Sequence, residues 1–181
     1  MEFIVYRGID YAEACKVVNQ QKYQSEERKH FLHGLSAKAV FGSGLYLVSD
    51  LLVAVEYAFC HAEASNQKAA VLRQQLHMDN PIQLSGPEGE GLLREKALNW
   101  KHPEGYSFEV TPPVQEYISW SGRIIKEYLL SNGYDGIQYC LHEHFTYFVS
   151  YYPEQHVTDI RVELVFDLDD IQITRSSRKL G

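Results

Sequence analysis

The sequence contains little cysteine, and this scarcity excludes two classes of protein. Cys15, Cys60 and Cys140 are odd in number and far apart along the chain. Their spacing indicates neither a disulfide framework nor a set of zinc ligands. We therefore expect reduced thiols with a structural role, and no metal site.

Positive charge and long apolar runs are also scarce. The 17 Lys and Arg residues face 24 Asp and Glu residues, which gives a formal net charge of −7. Nucleic-acid-binding domains usually carry a basic face, so nucleic acid is not an expected partner. No apolar run reaches the ~20 residues of a membrane span, and the first residues carry an acid where a secretory signal carries positive charge. We expect a cytoplasmic protein, or an effector exported without such a signal, and no membrane association.

Aromatic residues, in contrast, are abundant. Of the 181 residues 13% are aromatic, and 13 are tyrosines, within an overall hydrophobic share of 45%. A chain of this length and composition can bury a core without disulfides or metals. We expect one domain over residues 1–181, with a long loop or insertion near 85–115, where Gly and Pro are frequent.

Hydrophobic periodicity predicts an α+β fold in which strands outnumber helices. Asp10 is the expected N-cap of a helix over 11–19, and Ser49 or Asp50 that of a second helix. A third helix is expected over 116–132. The predicted strands lie at 2–6, 45–48, 69–76, 82–84, 137–140, 146–152, 160–166 and 171–174.

The second helix has an apolar stripe that we expect to face the core. Its members follow helical spacing: Leu51, Ala54, Val55, Ala58, Phe59 and Ala62. At about 100° per residue, Tyr57 lies roughly 130° from the centre of that stripe. Tyr57 is therefore expected to point away from the core.

Four features of the chain form a chemically coherent group. The first is Arg7 at a strand end, and the second is the glycine-rich run 42–46, whose last residue is Tyr46. The third and fourth are Tyr57 and Glu163. A dinucleotide ligand needs a guanidinium fork for its pyrophosphate, flat apolar surfaces for its ring and a carboxylate near its ribose. Strand alternation would place Arg161, Glu163 and Val165 on one face, away from the apolar side.

These residues belong to three segments that resemble motifs of the ADP-ribosyltransferase superfamily, which includes bacterial toxins and the poly(ADP-ribose) polymerases. The segments are Val5-Tyr6-Arg7-Gly8; Phe41-Gly-Ser-Gly-Leu-Tyr46-Leu with Tyr57 eleven residues later; and Gly133-Tyr-Asp-Gly-Ile137 followed by Val162-Glu163-Leu-Val-Phe-Asp167 and Asp170-Ile-Gln-Ile173. The resemblance implies a split β-sandwich of two small sheets with NAD bound in the cleft between them.

The resemblance also implies a role for each matching residue. Arg7 would bind the phosphates or the adjacent ribose, and the Gly8 backbone would lie near the nicotinamide amide. Tyr46 and Tyr57 would stack on the nicotinamide, beside Gly44. Glu163 would take the catalytic place, with Arg7 and Tyr46 completing the catalytic group. The implied activity is mono-ADP-ribosyl transfer from NAD to a macromolecular acceptor, which we expect to be a protein.

Three departures from the family pattern leave parts of this interpretation open. Arg161 stands where relatives carry an acid or a glutamine, so the acceptor is open. Arg7 stands where the polymerases have histidine, which favours single transfer over chain elongation. A longer closing segment makes Glu154 an alternative to Glu163 as the catalytic acid.

Other functions stay open at this point. An NAD glycohydrolase would release nicotinamide without labelling an acceptor, and a non-catalytic module would bind without turnover. An RNA 2′-phosphotransferase of the same superfamily is disfavoured by the net acidity. Family behaviour further suggests a toxin or effector, with an inhibitory or immunity protein as a partner.

Two histidine features have simpler interpretations. His142 and His144 could share a metal if they lay on one strand face, but no third ligand is nearby, which favours a polar hairpin tip. His33 follows a polar stretch, and we interpret it as a loop histidine.

Overall fold

The computed structural model describes residues 2–23, 40–66, 68–108, 110–143, 145–167 and 169. These ranges contain seven strands and five helices, which agrees with the expected mixture of α and β structure. In chain order they are β1 (Glu2–Asp10), α1 (Tyr11–Gln20), β2 (Leu45–Val48), α2 (Leu51–Ser65), β3 (Ala69–His77), β4 (Pro81–Ser85), α3 (Gly89–Lys101), α4 (Val114–Ser131), β5 (Gly136–His142), β6 (Phe145–Ser150), α5 (Pro153–His156) and β7 (Val157–Phe166).

The chain divides into two compact units. Within the described ranges, the first unit holds residues 40–46 and 78–153, and the second holds residues 2–23, 47–77 and 154–169. The expected strand at 171–174, like His33 and the motif residues 170–173, lies outside the described residues. The single-domain and split-sandwich expectations stay predictions.

The first unit packs two helices with three strands. Strand β4 pairs in parallel with β5, and β5 pairs antiparallel with β6. The buried cluster of this unit is formed by α3, α4, β5, β6 and the segments just before β2 and just after β6. Its members are Phe41, Leu93, Ala97, Leu98, Ile124, Ile125, Leu129, Ile137, Tyr139, Val149 and Tyr151.

The strand order in the second unit is β2-β1-β3-β7, in which β2 contributes Leu47 and Val48. Strand β1 pairs antiparallel with β3 over its whole length, from Glu2 opposite His77 to Asp10 opposite Ala69. Strand β7 pairs antiparallel with the other edge of β3. The two longer helices of this unit, α1 and α2, begin directly after β1 and shortly after β2.

Both of these helices start at the side chains that the sequence indicated. Asp10 Oδ1 accepts a hydrogen bond from the Glu13 amide at 2.9 Å, and Asp50 Oδ1 accepts one from the Val53 amide at 3.0 Å. Each aspartate satisfies an amide that has no partner within the first helical turn. Asp50, not Ser49, is therefore the N-cap of α2.

The apolar stripe of α2 is confirmed. Ala54, Ala58, Phe59 and Ala62 are buried, and Leu51 and Val55 are half-buried. Tyr57 is 41% exposed. The helical period thus separates this tyrosine from the core, as the sequence predicted.

The prediction of a long loop near 85–115 is wrong for Gly89–Lys101, because these residues form α3. Leu93, Ala97 and Leu98 of this helix are buried in the core of the first unit, at helical spacing. Glycines at the start of the helix concealed this period in the sequence. Residues 102–108 and 110–113 contain neither helix nor strand.

The pairing of β7 with β3 is interrupted at Glu163. Val71 lies opposite Leu164 and Leu72 lies opposite Val162, so Glu163 is an extra residue without a partner on β3. Such a residue forms a β-bulge, which locally changes the direction of the side chains.

The bulge changes which side chains of β7 share a face. Arg161 lies opposite Arg73 and Val165 lies opposite Ala70. Arg73 and Ala70 are three residues apart on β3 and point to opposite faces, so Arg161 and Val165 do as well. The expected alternation, with both of them on one face beside Glu163, is therefore wrong, because one inserted residue reverses the alternation.

Candidate functional site

Arg7 lies on β1, opposite Leu72 of β3, and its side chain is half-buried. The guanidinium carbon is 5.1 Å from the centre of the Tyr23 ring, an arrangement that favours a cation–π interaction. The Nε atom of Arg7 is buried and has no hydrogen-bond partner among the described residues. A buried donor of this kind is uncommon and indicates that an acceptor belongs there.

Gly8 is buried where β1 meets helix α2. A Cβ atom at this position would lie 1.9 Å from the Ala54 carbonyl oxygen and 2.3 Å from the Ala58 amide nitrogen. No side chain fits in that space. The glycine is therefore explained by the close approach of strand and helix, and its predicted role beside nicotinamide stays a prediction.

Gly42 adopts a left-handed conformation with φ +81°, and a Cβ atom there would lie 2.6 Å from the Gly122 carbonyl oxygen of α4. Tyr46 closes this glycine-rich run with its hydroxyl group. The hydroxyl donates to the Gly42 carbonyl at 2.7 Å and accepts from the Phe41 amide at 3.1 Å. At Gly44 a Cβ atom would lie 3.0 Å from the Ser150 carbonyl oxygen. Gly44 and Tyr46 thus hold the run in one shape.

Lys126 contacts this glycine-rich run, although the sequence did not indicate it as a site residue. Its Nζ donates to Ser43 Oγ at 2.8 Å and lies 5.4 Å from the centre of the Tyr151 ring. Tyr151 in turn donates its hydroxyl to the Phe41 carbonyl at 2.9 Å. The run is therefore fixed from α4 and from the end of β6. No pattern in the sequence signalled this contact, because Lys126 and Ser43 are 83 positions apart.

Tyr57 and Tyr46, the two expected nicotinamide-stacking residues, belong to different units. Tyr57 is exposed on α2 in the second unit, whereas Tyr46 packs partly against the core of the first. Their joint stacking on one ring stays a prediction. An exposed aromatic face on a helix can stack on a planar ligand.

Glu163 is exposed at the bulge of β7, and its side chain has no hydrogen bond or ion pair among the described residues. Arg161, two residues earlier, forms an exposed ion pair with Asp159 at 2.8 Å. That pair contributes little stability in water. The carboxylate of Glu163 is thus not neutralised by the neighbouring arginine.

Glu154, the alternative catalytic acid, lies in the first turn of the short helix α5 and is exposed. The predicted site residues are divided between the two units. The second unit holds Arg7, Gly8, Tyr57, Glu154 and Glu163, and the first holds Gly44 and Tyr46. The fold therefore brings the arginine and both candidate acids into one compact unit.

Tyr23 and Gln74 are two further polar residues beside Arg7 that the sequence did not indicate. The Tyr23 hydroxyl donates a short hydrogen bond to Gln74 Oε1. Gln74 is fully buried, and its Nε2 has no hydrogen-bond partner within the described ranges. A glutamine in the middle of a strand gave no signal, because only the strand pairing places it near Arg7.

Burial raises the pKa of the Tyr23 hydroxyl well above its ordinary value. The Arg7 guanidinium and the hydrogen bond to Gln74 act in the opposite direction, and the Glu13 carboxylate adds to the increase. Tyr23 is therefore protonated at neutral pH and able to donate to Gln74.

The other predicted motifs have structural roles. Asp135 Oδ2 accepts hydrogen bonds from the Asp79 and Asn80 amides at 2.7 and 3.0 Å, which fixes the turn before β4. His142 ends β5 and contacts the Phe145 ring, and His144 lies outside the described residues. Within the described ranges, no three His, Cys, Asp or Glu side chains are grouped to hold a metal ion.

A separate concave surface lies in the first unit, around Trp120. A cavity of about 420 Å³ is lined by Phe108, Pro112, Glu116, Ser119, Trp120 and Arg123. Tyr106 is 45% exposed, and the centre of its ring lies 5.2 Å from that of Trp120. This aromatic cluster covers one face of α4 and has no role in the site predicted from the sequence.

Helices long and apolar enough to cross a bilayer are absent from the described part of the chain. No protein-family model matches the sequence, and no curated protein matches it.

Proposed function

We propose that this chain is an NAD-dependent mono-ADP-ribosyltransferase, with Arg7 holding the phosphates and Glu163 acting at the ribose. The observation that carries the proposal is that both residues lie on strands of one sheet. Arg7 lies opposite Leu72, which lies opposite Val162, the residue before Glu163. Two strand spacings of ~4.8 Å separate β1 from β7, about 10 Å. A phosphate and a ribose of one dinucleotide could be contacted across that distance.

The exposure of Glu163 supports a catalytic role. A carboxylate at a bulge, without an ion-pair partner among the described residues, is available to a ligand. Bulges are frequent next to active sites, because they direct a side chain away from the regular alternation. Glu154 is exposed as well, but it lies on a short helix and not on the sheet that carries Arg7.

The proposed reaction breaks the glycosidic bond between ribose and nicotinamide. Nicotinamide leaves as a neutral molecule with the electron pair of that bond, and positive charge develops on the ribose. The Glu163 carboxylate stabilises this charge. A nucleophile of the acceptor protein then bonds to the same carbon and loses a proton. If water takes that place, the enzyme is an NAD glycohydrolase.

The test uses the full chain, NAD labelled in its adenylate part, and a cell lysate as the source of acceptor. We expect transfer of label to protein together with release of nicotinamide. Glu163→Gln keeps the shape of the side chain and removes its charge, so the rate should fall about 10²- to 10³-fold. Glu154→Gln is the matched control and should retain the parental rate.

Each other result has a definite meaning. Nicotinamide release without labelled protein would favour the glycohydrolase. NAD binding without release would favour the non-catalytic module. Loss of activity in Glu154→Gln alone would move the catalytic role to Glu154, and a parental rate in both variants would contradict a catalytic carboxylate at either position.

A further inference from the structure

The Arg7 side of the β1–β3 pair carries a compact polar cluster of Arg7, Tyr23 and Gln74. Val5 lies opposite Gln74, and Val5 shares its face of β1 with Arg7, two residues on. Gln74 and Arg7 are therefore diagonal neighbours on one face, about 7–8 Å apart. Tyr23 contacts both of them, with its hydroxyl on Gln74 and its ring near the guanidinium.

Two donors of this cluster lack an acceptor within the part of the chain that the structure describes. Arg7 Nε and Gln74 Nε2 are both buried without a hydrogen-bond partner among the described residues. Each such group costs about 1–3 kcal/mol relative to a satisfied one, and more for a charged one. Two of them around one tyrosine indicate a place for a ligand that carries several acceptor oxygens.

From these contacts we infer that Gln74 and Tyr23 complete a phosphate-binding site with Arg7, in which the Gln74 amide is a second donor and Tyr23 is a cover that moves when the ligand binds. A phosphate oxygen can accept from both orphaned donors, whereas an apolar ligand would leave them unsatisfied. The inference rests on the proposed function only for the source of the phosphate, which is the pyrophosphate of a dinucleotide.

Tyr23 must move because its hydroxyl is bonded to the Gln74 amide group and its ring lies against the Arg7 guanidinium. It gives up a hydrogen bond to Gln74 and the cation–π contact with Arg7, and the ligand replaces both. The closed arrangement therefore lowers the apparent affinity for any phosphate ligand. Loosening the cover and removing the second donor should then change the affinity in opposite directions.

The experiment measures binding of inorganic pyrophosphate, ADP-ribose and NAD to the full chain by calorimetry. Gln74→Met keeps the length of the side chain and removes its amide, so pyrophosphate affinity should fall about 10-fold or more. Tyr23→Phe keeps the ring and removes the hydrogen bond to Gln74, so affinity should rise about 2- to 10-fold. Gln75→Met, on the other face of β3, is the matched control and should leave affinity unchanged.

A fall in pyrophosphate affinity in one variant and a rise in the other would distinguish a binding role from a structural one. Loss of stability alone would lower the affinity of both variants. Circular dichroism of each variant establishes that it is folded. Unchanged pyrophosphate affinity in both folded variants would overturn the inference, and so would a fall in both. If Gln74→Met does not fold, the affinity of Tyr23→Phe for pyrophosphate is sufficient to test the inference. Only the inferred role of Tyr23 as a cover predicts that this affinity rises.

The proposed transferase function is tested separately by nicotinamide release. If the parent chain binds pyrophosphate in the predicted way but consumes no NAD, the inference holds and the proposed function is wrong. Competition between NAD and pyrophosphate for one site would identify a dinucleotide as the source of the phosphate. Pyrophosphate binding that NAD does not displace would identify a free phosphate ligand instead.

Discussion

Gly8 shows, at the scale of one residue, how packing alone can demand a glycine. It lies in a segment that resembles a nucleotide-binding motif, yet the backbone of α2 alone excludes any larger residue. The added methyl group of alanine would meet main-chain atoms of Ala54 and Ala58, which cannot rotate away. The strand or the helix would have to shift.

We therefore expect Gly8→Ala to lower the free energy of unfolding by about 1–3 kcal/mol or more. Gly91→Ala is the matched control, since Gly91 is exposed in α3 and a Cβ there meets nothing within 4 Å. The control should be more stable than the parent by roughly 0.5–1 kcal/mol, because alanine favours the helix. Urea unfolding of the three proteins measures both effects; an equally stable Gly8→Ala protein would contradict the close strand–helix contact.

At the scale of secondary-structure elements, α1 is joined to β7 through one side chain. Arg73 lies opposite Arg161 and Gln75 opposite Thr158, so two residues of β7, Asp159 and Ile160, face a single residue of β3. Asp159 has a left-handed backbone with φ 53°. This second bulge takes Ile160 out of the regular ladder.

Gln21, just after α1, takes the place of the missing strand partner. Its Nε2 donates to the Ile160 carbonyl at 2.7 Å, and its Oε1 accepts from the Ile160 amide at 3.0 Å. The amide group of a glutamine has the same donor and acceptor as a peptide bond, so it can substitute for one. Through this contact the amide and carbonyl groups of Ile160 are satisfied without another strand.

Gln21→Ala should therefore leave the buried Ile160 backbone unsatisfied and lower stability by about 1–3 kcal/mol. The local readout is amide hydrogen exchange at Ile160, which should become faster in the variant. Gln20→Ala, one residue earlier on an exposed helical position, should leave that exchange unchanged. Slow exchange at Ile160 in Gln21→Ala would show that the contact does not protect the bulge.

At the scale of the whole molecule, each unit buries one tyrosine whose titration opposes folding at high pH. Burial raises the pKa of Tyr151 in the first unit and of Tyr23 in the second above the ordinary value near 10. In the folded state both keep their protons above pH ~10, whereas in the unfolded state they release them. The unfolded state is therefore favoured as pH rises through this range.

We expect these two tyrosines to leave the free energy of unfolding independent of pH below pH ~9. Above pH ~10 the free energy of unfolding should fall, by at most ~1.4 kcal/mol per pH unit for each tyrosine. Urea unfolding between pH 8 and 11.5, with absorbance of tyrosinate as a second probe, measures the slope. Tyr151→Phe should give a shallower slope, although loss of its hydrogen bond to Phe41 costs about 1 kcal/mol at pH 8. An unchanged slope in this variant would contradict the role of Tyr151.

Sequence reasoning predicted the parts of this structure that depend on neighbours along the chain. The Asp10 and Asp50 caps, strand β2 and the buried stripe of α2 all follow from the chemistry of a few consecutive residues. It missed two helices, the four-residue α5 and the longer α3, whose first turn has glycines that suggested a loop. Local signals are sufficient here, because caps and helical periods act within one or two turns.

The positions of Arg7 and Glu163 relative to each other depend on strand pairing, which no local sequence pattern indicates. The sequence alone singled out both residues, together with Tyr57 on its exposed helix face. The bulge that frees Glu163 from the ladder is a matter of strand register, and the Tyr23–Gln74 contact joins residues 51 positions apart. Register and distant contacts are set by the packing of whole strands and helices, so only the tertiary structure could decide them.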